Sequence, residues 1–151
     1  MSYQTILVGT DGSSSSLRAV TAAAELAAAT RARLVVACAY LPMRESERAP
    51  AADRLGELAY KVSGSTPAED ALRAARESAV AAGAGEVVLA AEAGEAVDVL
   101  VRLAGEHRAD LLVVGNRGLN SLAGRLLGSV PSGVSHRAGC DVLIVRTTSG
   151  R

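Results

Sequence analysis

Short apolar runs alternate along this chain with segments long enough to form helices, and that alternation limits its fold more than any other feature. Thr5–Gly9 (TILVG), Arg33–Tyr40 (RLVVACAY), Glu86–Ala91, Asp110–Gly115 and Asp141–Arg146 (DVLIVR) are the runs. Their apolarity is mostly continuous rather than alternating, which suits strands covered on both faces, as in a parallel sheet. Between the first two, Ser13–Ser16 supply helix caps, and Leu17, Val20, Ala24 and Ala27 fall on one helical face. Thr66-Pro67-Ala68-Glu69 reads as a capping box with Thr66 at the cap, opening a helix that runs to about Ala82 and stops at Gly83. Gly94 opens a third helix with a Val97, Leu100, Val101, Ala104 stripe, and Ser129–Ala138 is the last. Five strands alternating with four helices predict an α/β fold: a doubly wound, five-stranded parallel sheet with helices on both faces, Rossmann-like, in one domain over residues 1–151.

Composition narrows the partners. Sixteen acidic residues balance sixteen basic ones, so no global field recruits nucleic acid or an anionic membrane. Three Tyr and no Phe or Trp leave no aromatic platform for stacking single-stranded nucleic acid. Neither end reads as a targeting signal and no apolar segment is long enough to span a bilayer, so the expected location is the cytoplasm. Cys38 and Cys140 lie in or beside apolar runs without a CxxC spacing and read as buried, reduced thiols. Residues 41–65 hold Pro42, Pro50, Gly56 and Gly64, with a short helix expected over 51–60. Such a connection either folds over a ligand at the sheet edge or is a variable insertion.

A ligand of an open α/β sheet sits beyond the carboxyl ends of the strands, where strand order reverses. If the first and fourth strands flank that point, Gly9-Thr10-Asp11 and Gly115-Asn116-Arg117-Gly118 meet there, with Ala39-Tyr40 nearby. The glycine-rich segment after the fourth strand then returns to place Gly128, Ser129 and Val130 at a helix N-terminus. Unpaired N–H groups and the positive end of the helix dipole favour phosphate there, and the backbone near Val8 and Ala39 offers a wall for a base. Arg117 and Arg125 flank the loop and are candidates to neutralise phosphate. A Walker loop and a GxGxxG fingerprint are both missing, and Lys61 is the chain's one lysine. No Ser/His/Asp set or metal-ligand cluster has useful spacing, and His107, His136, Tyr40 and Tyr60 carry no clear role.

Gly115-x2-Gly118-x9-Gly128-Ser129 resembles the nucleotide loop of the universal stress protein family. The resemblance extends to TILVGTDGS at the start, EAGEAVDVL before the third helix, and DLLVVGNRG and DVLIV in the last third. Where the family commonly has Ser-x-Gly after the fourth strand's glycine, this chain has Asn116-Arg117. The resemblance implies a member that binds ATP. Asp11 by itself is a candidate to ligate Mg²⁺ on the phosphates, to position a water, or to serve only as a turn residue bonding its own backbone. By position, Thr10, Asp11 and Ala39 would surround adenine and ribose, and Gly115 and Gly118 the ribose and first phosphates. Gly128, Ser129 and Val130 would hold the phosphate chain. It also implies a homodimer paired through the fifth strand at Val142, Leu143, Ile144 and Val145.

Two function classes follow, a nucleotide-binding sensor and a slow ATPase or phosphotransferase. An enzyme of the second kind needs a positioned base and a phosphate-binding lysine or arginine finger, so the sensor is the favoured reading. Cyclic AMP stays open as the ligand of the same site, since it makes less demand on metal or lysine.

Overall fold

The computed structural model describes residues 2–41, 65–116 and 129–147. In chain order it contains β1 (Thr5–Gly9), α1 (Ser14–Thr30), β2 (Arg33–Tyr40), α2 (Ser65–Ala81), β3 (Val87–Ala93), α3 (Ala96–Glu106), β4 (Leu111–Gly115), α4 (Ser129–Arg137) and β5 (Asp141–Val145). The strands form one parallel sheet in the order β3-β2-β1-β4-β5. Strand order therefore reverses between β1 and β4, the adjacency on which the ligand argument depends.

Alternation of side chains along each strand divides the core into two layers. Ile6, Val8, Leu34 and Val36 face α1 and α2, whereas Leu7, Val35 and Ala37 face α3 and α4. The first layer is largely alanine on the helix side. Ala19, Ala23, Ala24 and Ala27 of α1 and Ala71, Ala75 and Ala79 of α2 let both helices lie close to the sheet. On the other side, Gly133 of α4 abuts Val97 of α3; a Cβ there would stand 2.7 Å from Val97 Cγ2, so this helix contact needs glycine.

Helix ends follow local chemistry. The Ser13 hydroxyl caps α1 by accepting the Ser16 N–H at 3.1 Å. At the end of α2, Gly83 takes φ +105°, and the Gly83 and Ala84 N–H groups close back on the carbonyls of Val80 and Ala79. α2 begins at Ser65, so Thr66, expected at the cap, lies inside the first turn with Pro67, where a missing N–H costs little. In α3, Val97, Leu100 and Ala104 of the expected stripe are buried together with Val99 and Leu103, while Val101 is only partly covered. β3 runs to Ala93, beyond the expected end at Ala91, because it continues to pair with β2 as far as Tyr40. The helix expected over 51–60 lies outside the described residues.

No described helix is long and apolar enough to cross a membrane. Both cysteines are free; Cys38 is buried as expected, whereas Cys140, also expected to be buried, is only partly covered because it lies at the exposed turn into β5. Burial, helped by the negative charge of Asp11, pushes the Cys38 thiol up to about 11. Burial also raises the Cys140 thiol, with Asp141 and Asp110 adding to it. Both are therefore poor nucleophiles at neutral pH.

Candidate functional site

The turn after β1 is built from its own side chains. Thr10 is fully buried; its Oγ1 lies 2.9 Å from Ser16 Oγ and accepts the Gly12 N–H at 3.1 Å. Asp11 Oδ1 accepts the Ser13 N–H at 2.9 Å, an Asx turn that fixes the carboxylate where the chain enters α1. Thr10 thus shapes the site without presenting its side chain to it, and Asp11 is the residue that reaches the surface.

Asp11 lines a cleft of about 360 Å³ at the carboxyl end of the sheet. Ala39, Tyr40 and Leu41 enter it from the end of β2, Gly94, Glu95 and Ala96 from the connection into α3, and Ser129 and Val130 from the first turn of α4. Two helix N-termini therefore open into one cavity. Glu95 occupies the N-cap of α3 but makes no side-chain capping bond, so the first-turn N–H groups of α3 gain no partner from it. Gly94 reaches φ +141°, and a Cβ there would lie 2.9 Å from Val99 Cγ2. Its N–H donates to the Tyr40 carbonyl at 2.8 Å, tying this connection to the end of β2. Val130, 4% exposed, anchors the start of α4 in the core while Ser129 remains exposed.

The electrostatics of the cleft are mixed. Helix dipoles make it favourable to an anion. The charged side chains among its described lining residues are the carboxylates of Asp11 and Glu95. Among the described residues, no group of three or more His, Cys, Asp or Glu side chains could hold a metal.

Of the residues expected at the site, Asp11, Ala39, Ser129 and Val130 come together in the cleft. Gly9 does not line it: a Cβ at this position would stand 3.0 Å from Leu100 Cδ1, so this glycine makes room for α3. Gly115 likewise makes room for Thr147, whose Cγ2 would be 2.9 Å from its Cβ. Val8, expected near a base, is fully buried in the α1–α2 layer. Asn116 turns away toward β5, with its N–H on the Val145 carbonyl at 2.7 Å. Its Oδ1 accepts the Thr147 N–H at 2.9 Å. Arg117, Gly118, Arg125 and Gly128 lie outside the described residues, as do Tyr60 and Lys61. His107 caps the far end of α3, and His136 is exposed with Nδ1 2.9 Å from the Ser132 carbonyl oxygen.

Sequence reasoning missed Glu95 and Thr147. The position of Gly94-Glu95-Ala96 directly after a strand was the available signal, because every such connection emerges at the same end of a parallel sheet. Thr147 sits in a short polar tail and had no signal.

A model of the Universal stress protein family matches residues 2–146. The chain belongs to the universal stress protein family. It is 56% identical over 146 residues to universal stress protein Rv1636 of Mycobacterium tuberculosis, covering 97% of this chain and 98% of that relative. A universal stress protein crystallised in complex with cAMP is 47% identical, with a TM-score of 0.76 over 98% of this chain and 100% of the other. UspA from Lactobacillus plantarum is 27% identical with a TM-score of 0.77, covering 97% of this chain and 99% of its own. This family therefore accounts for the fold from the first strand to the fifth.

Proposed function

We propose that this universal stress protein binds an adenine nucleotide in the cleft at the β1–β4 switch point and acts as a binding protein rather than an enzyme. The carrying observation is that the first turn of α4, at Ser129-Val130, opens into the same cleft as Asp11 and Ala39. Phosphate belongs at the Ser129 end, where N–H groups and the helix dipole converge. Ala39 and the half-buried Tyr40 give the base an apolar wall. Gly9, Thr10 and Gly115 contribute by shaping the strand ends; the resemblance assigns Gly118 and Gly128 to the phosphate loop, and Arg117 flanks that loop as a charge to neutralise phosphate.

Cyclic AMP is the ligand this cleft favours without metal. It carries one phosphate charge, whereas ATP brings several next to Asp11 and Glu95. The relative solved with cAMP, at 47% identity, supports the same choice. ATP fits these carboxylates as its Mg²⁺ complex, since Mg²⁺ is commonly held by one or two carboxylates together with substrate phosphates. Calorimetric titration of nucleotide-stripped protein tests this reading. Cyclic AMP should bind in EDTA, ATP should bind only with Mg²⁺ added, and an overnight assay should release no ADP. Failure of every adenine nucleotide to bind removes the proposal, and steady ADP release replaces the sensor with an ATPase.

The β5 edge is our proposed surface for homodimer formation. Among the described strands β5 is the outer one beside β4, and Leu143 is 37% exposed on it. An open apolar edge of this kind pairs readily with a second copy. Sedimentation should give twice the chain mass for the wild type and the single mass for Leu143→Lys, with unchanged circular dichroism. A monomeric wild type rules the interface out.

A further inference from the structure

At the carboxyl end of the sheet, toward α1, one buried threonine joins the two segments that flank the switch point. Thr147, just past the end of β5, is 2% exposed. Its Oγ1 accepts the Ser15 hydroxyl at 2.9 Å and lies 3.2 Å from Asn116 Oδ1, to which it donates. Its N–H donates to the same Oδ1 at 2.9 Å, and its carbonyl accepts Arg18 Nη1 at 2.8 Å. Ser15 and Arg18 belong to the start of α1, directly after the Asp11 turn. Asn116 is the first residue beyond β4. The Thr147 methyl fills the space that Gly115 leaves by having no Cβ.

Thr147 is not among the described residues that line the cleft. Val145 packs with the α1–α2 layer, and Thr147, two residues on, follows it toward α1. Ala39 and Val130 of the cleft pack with the α3–α4 layer. Thr147 can therefore influence the cleft only through the residues it holds.

We propose that Thr147 is a positioning residue for nucleotide binding: it braces the Asp11 turn against the exit of β4 and so sets the width of the switch-point crevice. The proposal rests on the cleft being the nucleotide site. Removing the hydroxyl releases the Ser15 end of the brace and leaves Asn116 Oδ1 held by the Thr147 N–H alone, and small misplacements of binding groups cost affinity steeply.

Thr147→Val keeps the branched shape and the methyl beside Gly115 but removes the hydroxyl, whereas Thr147→Ser keeps the hydroxyl and loses the methyl. Titration with cyclic AMP, alongside urea unfolding, separates a positioning role from a structural one. Thr147→Val should bind about tenfold more weakly and Thr147→Ser within about twofold of wild type, although both lose some stability. Ser15→Ala, which removes one end of the brace from the helix side, should weaken binding about threefold. Wild-type affinity in Thr147→Val, or equal losses in the Val and Ser variants, overturns the positioning role. A wild type that binds no nucleotide overturns the cleft assignment first and this proposal with it.

Discussion

Ser129→Asp should lose cyclic AMP binding by a hundredfold or more while its melting temperature stays level or rises. Ser129 is exposed, opens the first turn of α4 and lines the cleft, so the substitution changes charge without disturbing packing. For the helix alone, a carboxylate at this end complements the dipole and is mildly stabilising. For the ligand, it puts a negative charge where phosphate is expected. Two unit charges about 4 Å apart interact by about 4 kcal/mol at an effective dielectric constant near 20. A hundredfold loss needs only about 2.7 kcal/mol. Ser129→Ala, which removes a hydroxyl but adds no charge, should cost about tenfold at most. The opposite signs for stability and binding make the result diagnostic. Unchanged binding in the aspartate variant would mean that phosphate does not sit at α4.

The largest stability effect should come from Leu100→Ala, and it should depend on Gly9. Leu100 is fully buried in α3, and its two methyl groups crowd the place where a Gly9 Cβ would be, at 3.0 and 3.1 Å. Truncation alone should cost about 3 kcal/mol in urea unfolding, through lost transfer energy and the cavity left behind. Gly9→Ala alone should cost about 1–2 kcal/mol, because the new methyl has to push Leu100 aside. In the Leu100→Ala background the same Gly9→Ala change should be neutral or stabilising, since the methyl now enters vacant space. Additive losses would show that the contact between these two positions is not what keeps residue 9 small.

The strands in the middle of the sheet were the most legible part of the sequence. β1 and β2 begin and end where their apolar runs do, because helices cover both faces and every position must be hydrophobic. At the margins the same signal says less. Leu89 of β3 is 39% exposed and β5 alternates in burial, so apolar composition alone cannot distinguish an edge strand from an inner one. At the site, Asp11, Ala39, Ser129 and Val130 could be placed together because parallel topology brings strand ends and helix starts to one side. Glu95 was missed because Gly94 was read only as the opening of a helix. Thr147 was unreadable for a plainer reason: Ser15, its partner, is 132 residues away. No local pattern records a hydrogen bond of that span. The glycines carry a second constraint that the motif does not record. Gly9 and Gly115 fit ligand-facing positions by motif, and on the side where a Cβ would stand the space they leave is filled by Leu100 and Thr147.

Strand order also has a consequence in time. Synthesis delivers the N-terminus first, so the strand destined for the centre emerges before any neighbour. β2 and β3 then add outward on one side, while the other side of β1 stays bare until β4 is made. A chain still on the ribosome would thus carry Ile6, Leu7 and Val8 along an unpaired edge for about two-thirds of its length. The Asp11, Ala39 and Glu95 side of the cleft is made before β4, and the Ser129 side after it. A nucleotide held between them is a ligand that only the finished protein can recognise.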